Sequence, residues 1–114
     1  MTSIFSILSI TLFLALVFQA NGYCDLSSIG VTQTKTSGSV WKVTVTNNCI
    51  CTQTDVKLNT NGFKSSTLVD PAILSQDGLL IQGAPLYQYK SVTFTYTSQS
   101  EFKFTPVFSV IACS

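Results

Sequence analysis

The chain has 114 residues, six lysines, five acidic residues, no arginine, no histidine and a net charge near +1. That balance offers no polybasic patch, which argues against nucleic acid and anionic membrane as partners. The missing imidazole excludes nucleophilic catalysis of the Ser-His or Cys-His kind.

In chain order, the first expected element is a secretory leader over residues 1–22. An apolar run from Ile4 to Phe18 is followed by small residues, with Ala20 and Gly22 at the −3 and −1 positions of a cut before Tyr23. The run is shorter than the roughly 20 apolar residues of a spanning helix and is broken by Ser and Thr. Residues 23–114 then form one exported, extracellular (apoplastic) domain. No later apolar segment predicts membrane insertion once the leader is removed.

Strand patterns follow. "IGVTQTK" is the first candidate. "SVWKVTVTN" alternates Trp41, Val43 and Val45 against Lys42, Thr44 and Thr46, the period of a half-buried strand. "NNCIC" reads as the end of that strand. "TDVKLNT" sets Val56 and Leu58 against Asp55 and Lys57, and "SVTFTYTS" sets Val92, Phe94 and Tyr96 against threonines. "FKFTPVFSVIAC" is a last strand in which Pro106 predicts an edge, a bulge or a break. "DPAILSQDG" suits a short helical turn with Asp70 as N-cap and Pro71 at its first position. Gly- and Pro-containing turns separate the strands. The fold class is all-β: a single small antiparallel β-sandwich stapled by disulfides.

Four cysteines, Cys24, Cys49, Cys51 and Cys113, read as two disulfides in a small exported chain. On a strand, residues two apart share a face about 6.5–7 Å apart, whereas disulfide Cβ atoms lie about 3.5–4.5 Å apart. Cys49 and Cys51 therefore reach distant partners. Two pairings remain: Cys24–Cys49 with Cys51–Cys113, or Cys24–Cys51 with Cys49–Cys113. Either ties both ends of the domain to its middle. A C-x-C zinc site would need wider spacing and usually histidine, so no metal and no cofactor is expected.

The five carboxylates, Asp25, Asp55, Asp70, Asp77 and Glu101, sit in strand-face and turn positions where solvation or capping accounts for them. No catalytic residue is assigned. Trp41 and Tyr96 fall on apolar strand faces and belong to the core. Tyr87 and Tyr89, beside Pro85, lie in an expected loop and are the candidate contact aromatics.

An ordered set of motifs spans Cys24 to Cys113: "IGVTQT", G-x-V-W-K-V-T-V-x-N-N-C-x-C, V-K-L-x-x-x-G-F, "VDP", G-x-P-L, V-x-F-x-Y and P-x-F-S-V-x-x-C. The chain resembles the plant tapetum determinant-like family of small secreted cysteine-rich proteins. The resemblance implies a non-enzymatic signalling protein, a ligand of a leucine-rich-repeat receptor kinase in cell-fate or developmental signalling, with the receptor ectodomain as partner. It also implies two further cysteines at the positions of Thr60 and Gly78. Both are absent here, as the loss of one disulfide would leave them, so Thr60 and Gly78 are expected to be neighbours in space. The alternative function is an apoplastic carbohydrate- or cell-wall-binding module using Tyr87 and Tyr89.

Overall fold

Runs of β-branched and aromatic residues with period two become strands in the computed structural model, which describes residues 24–113. The expected leader and its cut before Tyr23 lie outside the described residues. The strands are β1 (Ile29–Ser37), β2 (Val40–Asn47), β3 (Thr52–Leu58), β4 (Ser91–Thr97) and β5 (Pro106–Ala112), with short 3-10 turns at Leu26–Ser28 and Ile81–Gly83. One sheet has the order β1-β2-β4 and the other pairs β3 with β5. Every strand pair is antiparallel, so the fold is all-β, as the alternation predicts.

The two sheets share one core. Val43, Val45, Phe94 and Tyr96 come from the first sheet, Val56 and Leu58 from the second. Connections add Leu74, Leu80, Leu86 and Phe104. Burying these side chains is the main favourable contribution to stability, about 1.5–3 kcal/mol for each large one. Phe104 makes edge contacts with Phe63, Phe94 and Tyr96 at centroid distances of 5.0, 5.4 and 5.7 Å, a geometry aromatic quadrupoles favour.

Two strands depart from simple alternation. In β3 the pairing with β5 shifts between Thr54 and Lys57, and Asp55 takes φ 53°. This bulge adds one residue and resets the faces, so Gln53, Val56 and Leu58 all point inward. The last strand is shorter than its apolar pattern. It starts at Pro106, a position where a missing N–H costs nothing. The preceding Phe102 is held instead by side chains: its N–H donates to Tyr96 Oη at 2.8 Å and its carbonyl accepts from Gln33 Nε2 at 2.5 Å. The expected helical turn is a single turn, with the N–H groups of Ile73 and Leu74 both donating to Asp70 O.

Candidate interaction surface

Cys49 and Cys51 are not on a strand, contrary to the reading of "NNCIC" as a strand end. Residues 48–51 form a bend, because the chain must leave the first sheet at Asn47 and enter the second at Thr52. Asn47, with no exposed surface, organises the bend. Its Oδ1 accepts from Cys49 N at 3.2 Å, and its Nδ2 donates to Cys51 O at 2.8 Å and Leu86 O at 2.9 Å. Gln53, equally buried, donates to Asn47 Oδ1 at 3.3 Å and accepts from Ser109 Oγ at 2.6 Å. Two amides thus lock β2, β3, β5 and the 86–89 segment together.

The bend presents its two cysteines in different directions. Cys24 bonds to Cys49 with Cα atoms 5.8 Å apart, and Cys51 bonds to Cys113 with Cα atoms 4.7 Å apart. This selects one of the two pairings left open by spacing. The sulfurs of Cys24, Cys51 and Cys113 all lie within 4.8 Å of one another. They are disulfide sulfurs and carry no thiolate for a metal.

Tyr87 and Tyr89 lie beside this double staple. The backbone of Leu86 exchanges two hydrogen bonds with Gln53, at 3.1 and 2.7 Å, which adds a strand-like segment to the free edge of β3. Beyond it the chain turns: Lys90 N donates to Tyr87 O at 3.1 Å, and Tyr89 N donates to Asn47 O at 2.8 Å. Tyr89 sits at φ 58°, the left-handed region. The backbone is therefore pinned while both rings face solvent, at 59% and 64% exposure. Gln88, between them, lines a hollow of about 390 Å³ with Ile50, Cys51, Thr52, Ala112 and Cys113. No charged residue lines it.

The apolar surface continues onto β5. Thr52 pairs with Ala112, Thr54 with Val110 and Lys57 with Phe108, and Val110 and Phe108 are about half exposed. These residues share the outward face of the second sheet, because Gln53 and Ser109 point inward to each other. A second groove, of about 530 Å³, runs past Phe63, Leu68 and Gln76. Ile50, Leu68, Phe108 and Val110 escaped the sequence reading. The alternation of Phe108 and Val110 was a usable signal for a shared face, but nothing marked that face as the outer one. Two of the five carboxylates do local structural work: Asp25 caps the first 3-10 turn through Ser27 N, and Asp70 Oδ1 accepts from Ala72 N at 2.9 Å.

Compared with known families, residues 25–114 match the family model described as Tapetum determinant 1, C-terminal. The chain belongs to the Tapetum determinant 1 family. This is a family of developmental signalling proteins, associated in general with receptor-kinase signalling. No curated protein and no solved structure matches the chain. The Tapetum determinant 1 match covers both staples except Cys24 itself, and it includes the tyrosine turn and the outward face of β5. Among the described residues, no helix is long and apolar enough to cross a membrane.

Thr60 and Gly78 behave as the family resemblance implies. A Cβ built on Gly78 would lie 3.3 Å from Thr60 Cγ2, and Thr60 Oγ1 donates to Gln76 O at 3.0 Å. The hydroxyl bond joins the same two segments that a disulfide would.

Proposed function

We propose that this protein is exported and acts as a ligand for the ectodomain of a leucine-rich-repeat receptor kinase in developmental signalling, with Tyr87 and Tyr89 among its contact residues. The observation that carries this reading is the exposed tyrosine turn, pinned by backbone hydrogen bonds to buried Asn47 in a member of a developmental signalling family. A rigid surface with exposed aromatics loses little entropy on docking, and aromatics dominate the binding energy of many interfaces. The concave face of a repeat ectodomain accommodates a domain of this size.

The test is saturable binding of the disulfide-intact protein to a panel of leucine-rich-repeat ectodomains. A binding member is expected. Tyr87→Ala and Tyr89→Ala are each expected to weaken binding about tenfold or more, with unchanged melting temperature. Absence of saturable binding across the panel defeats the reading. Binding of a cell-wall glycan by the same rings is the competing function, and a glycan-array signal lost on Tyr87→Ala would favour it.

A further inference from the structure

Two disulfides meet at one end of the fold, and the contact between them is chemically consequential. Cys51 and Cys113 line the solvent-open hollow, and Cys113 is exposed. Cys49 is 3% exposed. Cys24 and Cys51 are half-buried, so the exposed Cys113 is the sulfur a small thiol reaches most readily. The hollow, about 390 Å³ and without a charged wall, falls within the range of small-molecule sites. The sulfurs of Cys51 and Cys24 belong to different disulfides yet lie within 4.8 Å of each other.

We propose that the sulfur cluster of Cys24, Cys51 and Cys113 is a thiol-exchange site, in which a small-molecule thiol opens the outer disulfide and the opening is relayed to the inner one. In the first step a thiolate attacks Cys113 Sγ. A mixed disulfide forms on Cys113, the Cys51–Cys113 bond breaks, and its electron pair leaves on Cys51 as a thiolate. In the second step the Cys51 thiolate attacks Cys24 Sγ. The Cys24–Cys51 bond forms, the Cys24–Cys49 bond breaks, and Cys49 takes the electron pair. In the third step Cys49 attacks the mixed disulfide at Cys113, forming Cys49–Cys113 and expelling the small thiol. The cycle consumes no oxidant or reductant, because each step exchanges one disulfide for another. Its product is the second pairing that the cysteine spacing allows. The double staple is then a pair of interconvertible linkages, with Cys113 as the entry sulfur.

The experiment incubates the folded protein with reduced glutathione without oxidant, quenches with acid and an alkylating agent, and maps linkages by peptide mass spectrometry. The expected result is a glutathione adduct on Cys113 together with Cys24–Cys51 and Cys49–Cys113 linked peptides beside the native pairs. Adducts first on Cys24 or Cys49, an adduct on Cys113 without swapped linkages, or native linkages alone would each overturn the proposal. A second arm needs no added thiol. In Cys113→Ser, the thiol left on Cys51 should divide Cys24 between Cys49 and Cys51. Finding Cys24 bonded to Cys49 alone in that variant would also overturn it.

Discussion

Asn47 and Gln53 are joined side chain to side chain, Gln53 Nε2 donating to Asn47 Oδ1 over 3.3 Å, with neither residue exposed. Asn47 also donates to the carbonyls of Cys51 and Leu86. No apolar side chain can fill both donor and acceptor roles. Asn47→Leu removes the donor to Cys51 O and the acceptor of the Cys49 N–H and Gln53 Nε2, while Leu86 O keeps its bond from Gln53 N. Each hydrogen bond so lost costs up to about 1–3 kcal/mol before relaxation and water entry. A net loss of about 2–4 kcal/mol is expected in urea unfolding. A loss below about 1 kcal/mol would mean that the disulfides alone hold the bend.

The two staples close segments of 25 and 62 residues. The chain-entropy model assigns them about 3.5 and about 4.3 kcal/mol, against about 5–15 kcal/mol of total stability for a typical domain. Replacing Cys51 and Cys113 together by Ser should therefore cut yield and melting temperature at least as much as replacing Cys24 and Cys49. Measuring both double variants by thermal melting checks the order. Melting within a few degrees of the parent for either pair would show that the core is sufficient without that staple.

Thr60 and Gly78 are close enough to crosslink, but Gly78 resists a side chain. It holds φ +89°, and an added Cβ would fall 2.0 Å from the Leu58 carbonyl oxygen. Gly78 O also accepts from Leu58 N at 2.8 Å. Gly78→Ala alone should cost more than about 1 kcal/mol. The pair Thr60→Cys and Gly78→Cys should still form a disulfide visible by mass spectrometry, with the 77–79 turn displaced and the melting temperature no higher than the parent's. An uncrosslinked pair under oxidising conditions would contradict the neighbour assignment.

Tyr96 donates to Gln33 Oε1 at 2.7 Å and accepts from Phe102 N at 2.8 Å. Burial pushes its phenol above the usual tyrosine value, the hydrogen bond from Phe102 lowers it, and the Glu101 charge adds a rise. A raised value in the folded state means that folding favours the protonated form. This stability is fully present below the unfolded value near 10 and is lost as pH rises through the folded value. Urea midpoints should fall between pH 9 and pH 11 by more in the parent than in Tyr96→Phe. At neutral pH, Tyr96→Phe should itself cost about 1–3 kcal/mol for the two partners it abandons. Parallel alkaline losses in both proteins would exclude Tyr96 as the titrating group.

Most of the framework was legible because alternation is a local signal. Trp41, Val43 and Val45, and likewise Phe94 and Tyr96, read correctly from neighbours two apart. The β3 bulge was not legible, since one added residue at Asp55 leaves no mark in composition yet decides that Gln53 faces the core. Phe63 also escaped, because it reaches the core from an irregular segment that has no period.

The sequence alone determined the all-β class and the family, because side-chain period and ordered motifs are properties of short stretches. Cys49 and Cys51 do have distant partners, although the bend that carries them removes the strand spacing that argued for it. Only the tertiary structure decided the pairing Cys24–Cys49 with Cys51–Cys113 and the outward setting of Phe108 and Val110. Those outcomes depend on the angle at which the chain crosses between sheets at residues 48–51. That angle is set by Asn47 reaching carbonyls 4 and 39 residues away, a relation that no local pattern encodes.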